Sequence, residues 1–134
     1  MTVSADTPIS EAARLMHDKS IGTVVVVDGS RPRGILTDRD IAMAVAADGR
    51  RPSAHVGEIM HSNPTVIQED RGIFDAVKML AERGIRRLPV VDGQGRLTGI
   101  IALDDVLMLL GSEMGHVASA LSRELGRSGE FAPR

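Results

Sequence analysis

The sequence predicts a mixed α/β (α+β) fold in which two pseudo-symmetric copies of one β-α-β-β-α unit pack sheet to sheet in a single globular module. Three observations carry this expectation. The chain matches itself when displaced by 64 positions. Within each copy, stretches of helical period alternate with short β-branched runs. The chain has 134 residues, 43% hydrophobic and 25% charged, which suits one shared core.

The self-match is collinear. Asp6, Ile9, Ala12, Met16 and Ile21 recur as Asp70, Ile73, Ala76, Leu80 and Ile85. Val26-Val27-Asp28-Gly29 recurs as Val90-Val91-Asp92-Gly93. One residue is then gained in a turn, after which Gly34-Ile35-Leu36 recurs as Gly99-Ile100-Ile101 and Asp40 as Asp105. These matches set residues 1–50 as the first copy, 51–58 as a linker, 59–112 as the second copy, and 113–134 as a helical extension with a frayed tail.

Each copy is expected to begin with a helix. Ile9, Ala12 and Met16 keep helical spacing, with Thr7-Pro8 as the start and Pro8 at the first helical position. A strand follows at Thr23–Val27 or Leu88–Val91, then a Gly-containing turn, then a strand at Arg33–Leu36 or Arg96–Ile101. A second helix closes the unit, carrying Ile41 and Val45 or Val106, Leu109 and Leu110. Pro64–Ile67 reads as an extra strand ahead of the second copy, and Thr2-Val3 is what remains of its counterpart. Asp48–Ser53 is polar and turn-rich, as a linker should be. Val117, Leu121 and Leu125 recur every four residues beyond the second copy, as a core stripe or a partner contact. Met16, Met43, Met60, Met79 and Met108 read as core filler.

Composition narrows the function. Purely aliphatic runs such as Val24–Val27 are too short to span a membrane, and no signal peptide is visible, so a cytoplasmic address is expected. The absence of cysteine excludes disulfides, thiolate metal sites and a cysteine nucleophile. Net charge is −2 and the aromatic residues are Phe74 and Phe131 alone, which argues against a nucleic acid partner. His17, His55, His61 and His116 lack ligand spacing, so no metal site is expected. No Gly-x-Ser-x-Gly or Walker loop occurs, and the adjacent Asp104 and Asp105 do not face each other on a helix. No catalytic residue is therefore assigned, and the chain is not read as an enzyme.

Two elements carry a family signature: Gly34-Ile35-Leu36-Thr37-Asp38-Arg39-Asp40-Ile41, and Gly84-Ile85-Arg86-Arg87-Leu88-Pro89-Val90-Val91-Asp92. In a duplicated β-α-β-β-α unit they resemble a tandem pair of cystathionine β-synthase (CBS) domains, a Bateman module, over about residues 2–112. The resemblance implies a regulatory ligand of the adenosyl class (AMP, ADP, ATP or S-adenosylmethionine), no required cofactor, homodimerisation, and a regulated partner such as an enzyme or transporter.

It also implies where the ligand sits, with each cleft assembled crosswise. The first cleft would use Thr37, Asp40, Gly34 and Asp38 with the wall Met60, Asn63, Pro64 and Thr65, and with Arg87 and Arg86 toward the phosphate. Asp40 stands for the ribose grip, Thr37 for a hydroxyl contact and Arg87 for the phosphate contact. The second cleft, with Asp105, Val3, Ile21 and Thr23, is expected to be degraded. Ala102 replaces the threonine, Thr23 replaces the arginine, and little wall precedes Val3. Thr37-x-x-Asp40 also has the form of a helix capping box, and Arg86 and Arg87 that of solvated strand-end charges. The rival functions are a ligand-free dimerisation or interaction scaffold, a sensor of S-adenosylmethionine or a cyclic dinucleotide, and a nucleotide-processing enzyme.

Overall fold

The computed structural model describes residues 1–128. Two sheets and four helices follow one another in the order β1 (Thr2–Ser4), α1 (Ile9–Lys19), β2 (Thr23–Asp28), β3 (Arg31–Thr37), α2 (Asp38–Ala46), β4 (His61–Ser62), β5 (Ile67–Gln68), α3 (Ile73–Arg83), β6 (Arg87–Val91), β7 (Leu97–Ala102) and α4 (Leu103–Ser128). The chain divides into two compact units, one of Met1–Arg71 with Leu88–Ile100, the other of Gly72–Arg87 with the residues from Ile101 onward.

The first unit holds a four-stranded sheet in the order β1-β2-β3-β4. β1 runs parallel to β2, while β3 is antiparallel to both β2 and β4. The apolar stripe of α1 (Ile9, Ala12, Met16) closes over Val24, Val26 and Leu36, with Val56 completing the buried cluster. Burial of such side chains contributes about 1.5–3 kcal/mol each, so this layer is the main source of the unit's stability. β5 pairs with β6 in parallel, and β7 flanks β6 in a second sheet of three strands.

Helix α1 begins one residue later than its sequence suggests. Pro8 is the cap rather than the first helical residue, and it has no side-chain hydrogen bond to give. The orphan N–H groups find acceptors in the inter-repeat segment instead: Ile9 donates to the Ala54 carbonyl at 2.8 Å and Ser10 to the Pro52 carbonyl at 2.9 Å. The Thr7 hydroxyl is engaged by Ser4. What reads as a linker is therefore also the N-terminal cap of α1.

The extra strand expected at Pro64–Ile67 is split. Only Ile67 and Gln68 pair with β6, because Asn63 adopts a left-handed φ of 52° that turns the chain just ahead of Pro64. The preceding residues His61 and Ser62 join the first copy's sheet.

Both copies end their first helix in the same way. Ser20 (φ 54°) and Gly84 (φ 63°) are left-handed caps. Ile21 donates to the Met16 carbonyl at 3.0 Å, and Ile85 donates to the Leu80 carbonyl at 3.1 Å. Both copies also start the second helix alike, with Asp38 donating to the Gly22 carbonyl at 3.0 Å and Leu103 to the Arg86 carbonyl at 2.8 Å.

In the second unit α3 and α4 touch, and Ala76, Leu80 and Val106 are buried. Helix α4 continues through residues 126–128, where a frayed tail was expected, and residues 129–134 of that tail lie outside the described residues. Two methionines expected in the core are not there: Met43 and Met108 are 52% and 74% exposed, because they lie on the outer faces of α2 and α4.

Candidate ligand site

Helix α2 begins in a reciprocal cap. Thr37, extended at φ −110° and ψ 162°, accepts from the Asp40 N–H through its hydroxyl at 3.1 Å. Asp40 Oδ2 accepts from the Thr37 N–H at 2.9 Å. The capping box is thus formed, and it fixes the Asp40 carboxylate at the mouth of the helix. Its other oxygen, Oδ1, lies 2.9 Å from His61 Nε2. An ionised carboxylate can only accept, so the imidazole donates. Burial alone would raise the Asp40 carboxyl. The Thr37 backbone and side-chain hydrogen bonds, together with the hydrogen bond and charge of His61, outweigh it and hold the group below its ordinary value.

His61 reaches Asp40 because β4 crosses to the first copy's sheet, pairing Ser62 with Gly34 and His61 with Ile35. This close approach depends on Gly34. A Cβ there would lie 2.5 Å from the Met60 sulfur and 2.9 Å from the His61 carbonyl. Thr37, Asp40, Gly34 and Met60 therefore form one neighbourhood. Asp38 and Ile21 line a groove of about 300 Å³ between α1 and α2, with Met16 and Ile41.

Asn63 and Pro64 line a cavity of about 400 Å³ with Arg31, Arg33, Gln68 and Val91. That volume lies within the range of small-molecule sites. Asn63 is fixed there by donating to the Arg33 carbonyl at 3.2 Å, and Thr65 is half-buried. Thr23 is the strand partner of Thr37, and it lines a smaller cavity of about 240 Å³ with Met1, Val25 and Leu97–Ile100. Val3 is tied into the sheet opposite Val26.

Arg86, Arg87 and Asp105 belong to the second unit. Arg87 Nη1 donates to the Arg86 carbonyl at 3.1 Å, and Arg86 Nη2 pairs with Asp104 at 3.5 Å. Asp105 lies in the exposed first turn of α4, ahead of which Ala102 offers no capping oxygen.

His61 is the site residue that sequence reasoning passes over. As one of four scattered histidines it carries no spacing signal. Its one clue is position, inside the Met60–Thr65 wall assigned to the first cleft.

A family model for the CBS domain matches residues 1–47 and 56–112. Uncharacterized protein MK0525 of Methanopyrus kandleri is 38% identical over 101 residues, 74% of this chain and 52% of that protein, so the chain spans about half of that relative's length. The CBS domain-containing protein YhcV of Bacillus subtilis is 41% identical over 105 residues, 78% of this chain and 74% of YhcV. Among solved structures, the CBS domain pair of protein MJ0100, in complex with 5′-methylthioadenosine and S-adenosyl-L-methionine, aligns with a TM-score of 0.75 at 29% identity, covering 84% of this chain and 89% of that one.

Proposed function

The chain belongs to the CBS-domain family, and from that premise we propose that it is a regulatory module that senses an adenine nucleotide of the AMP, ADP or ATP type and signals to a partner by conformational change. The observation that carries this reading is the Asp40 carboxylate. It is held ionised at the start of α2, with one oxygen in the capping box and the other turned to a side chain from the crossing segment. A carboxylate oxygen has two lone pairs, so Asp40 keeps acceptor capacity for a ribose hydroxyl. The 5′-methylthioadenosine and S-adenosyl-L-methionine of the MJ0100 pair support the broader adenosyl class, to which these nucleotides belong.

In this reading Thr37, Asp40, Gly34 and Asp38 with Met60, Asn63, Pro64 and Thr65 form the competent site. The family pattern adds Arg87, and secondarily Arg86, for the phosphate. Asp105, Val3, Ile21 and Thr23 belong to a degraded site that lacks the threonine and the arginine. The module is a homodimer without enzymatic activity of its own, and it regulates an enzyme or transporter. A ligand-free scaffold is the second reading, favoured by the exposed apolar residues Met43, Leu107 and Met108 on its helices.

A thermal-shift panel of AMP, ADP, ATP, S-adenosylmethionine and cyclic dinucleotides separates the two. A ligand at 100 times its dissociation constant adds about 2.7 kcal/mol, which raises the melting temperature by several degrees. If no compound moves the midpoint at millimolar concentration, the scaffold reading replaces this one.

A further inference from the structure

Asp40 is reached from solvent past another side chain. The side chain of His61 is 73% exposed and that of Asp40 is 19% exposed, with Nε2 of the ring 2.9 Å from Oδ1 of the carboxylate. Oδ2 is turned into the capping box, where it accepts from the Thr37 N–H. Oδ1 is therefore the oxygen open to an incoming hydroxyl, and the imidazole is the donor already on it. The backbone of His61 is fixed by the pairing of β4 with β3, whereas among the described residues this one hydrogen bond ties the ring. The ring can leave by turning about its own side-chain bonds, with no change in the strand.

Resting on the nucleotide reading of this site, we propose that His61 is its latch: in the ligand-free chain the imidazole occupies the Asp40 oxygen that a ribose hydroxyl takes, and it turns away for the ligand to bind. The two donors compete for one acceptor. Histidine is the side chain whose ordinary value places its charge change between about pH 5 and 8. A neutral ring donates a plain hydrogen bond, while an imidazolium donates a charge-assisted one, about twice as strong. Asp40, held below the ordinary carboxylate value, stays ionised over this range. The latch therefore tightens as pH falls, and ligand affinity falls with it. The other charged groups of the surrounding elements are turned elsewhere. On β3, Arg33 pairs with Asp28, and the Arg31 guanidinium lies against Gly95. On α2, Asp38 accepts from the Arg39 N–H, and the Arg39 side chain is exposed. Ahead of β4, Glu58 accepts from Arg50 and from the His55 N–H. Among the described residues, Asp40 is the one ionic partner of His61.

Adenosine is the probe for the test, because a phosphate monoester such as AMP titrates in the same range and adenosine does not. Calorimetric titrations at about pH 5.5 and about pH 8 compare the parent with His61→Ala and His61→Gln, each checked for fold by circular dichroism. The parent binds adenosine about two- to fivefold more weakly at the lower pH, the range set by one solvent-exposed charged pair. His61→Ala binds more tightly than the parent at the lower pH and equally at both. His61→Gln, which donates but cannot become charged, is likewise independent of pH. A parent whose affinity is equal at both values, or greater at the lower one, overturns the proposal. So does a His61→Ala variant that binds more weakly than the parent, which makes the ring a support of the site rather than a latch. A pH dependence that persists in His61→Ala belongs to another group and also overturns it. Adenosine bound by neither the parent nor His61→Ala at either pH removes the nucleotide reading itself, and the latch with it.

Discussion

The imidazole of His61 and the carboxylate of Asp40 are joined at 2.9 Å across 21 positions of sequence, the first from the segment that opens the second repeat and the second from the helix that closes the first. The contact ties the repeats at the residue on which the proposed ligand site depends. Removing His61 removes one hydrogen bond and one favourable charge from Asp40, so His61→Ala raises the Asp40 carboxyl toward its ordinary value. A carboxyl-detected NMR titration measures this. An unmoved Asp40 titration would show that the pair is not held in solution.

The lowered Asp40 group also sets an acid limit. Its folded value lies below its unfolded one, so its stabilising contribution is complete above the ordinary carboxylate range. That contribution is lost as pH falls through the folded value. Asp40→Asn keeps an acceptor for the Thr37 N–H but cannot ionise. The stability difference between parent and Asp40→Asn is therefore constant above about pH 5 and shrinks below pH 4 in urea titrations. A difference independent of pH down to 3 contradicts the assignment.

Gly34 is required by contact rather than by conformation. Gly34→Ala places a methyl group against the Met60 sulfur, which can move, and against the His61 backbone carbonyl, which cannot move without breaking β4 from β3. A destabilisation of about 1–3 kcal/mol is expected. Met60→Ala in the same chain should recover only part of it, because the carbonyl remains. Full recovery would place the whole clash on the thioether.

The two left-handed helix caps differ in residue but not in geometry. Ser20→Gly relieves a φ of 54° at an exposed position and should stabilise the chain by about 0.5–1 kcal/mol, net of the extra freedom of glycine in the unfolded chain. Gly84→Ser should cost a similar amount. Denaturant unfolding of both variants checks the pair. A destabilising Ser20→Gly would mean that the Ser20 side chain contributes more than its backbone costs.

Local signals in the sequence carried most of the fold. The period of Ile9, Ala12 and Met16 and the β-branched run at Thr23–Val27 depend only on near neighbours, so α1 and β2 are legible directly. The misses arise where distant segments decide. Pro8 caps α1 because Pro52 and Ala54 supply acceptors more than forty residues away. Met43 and Met108 are indistinguishable from Met16 by residue type, and only the facing of the helices exposes them. Thr37-x-x-Asp40 is legible as a cap because its bonds are local. That Asp40 also meets His61 follows from the strand crossing, which no periodicity in the chain announces.

The account stands most directly on a calorimetric titration of AMP into the parent chain and its Asp40→Ala, Arg87→Ala and Asp105→Ala variants. One site per chain is expected in the parent. Loss of the ribose grip or of the charge-assisted phosphate contact costs about 1.5–3 kcal/mol, a ten- to hundred-fold weakening for Asp40→Ala and Arg87→Ala. Asp105→Ala should bind as the parent does, because in the proposed assignment Ala102 and Thr23 stand where the family pattern has a threonine and an arginine. Arg87→Ala should weaken AMP more than adenosine, which has no phosphate to lose. Binding abolished by Asp105→Ala and untouched by Asp40→Ala would contradict the account, and would leave Thr37 and Asp40 as a helix cap and nothing more.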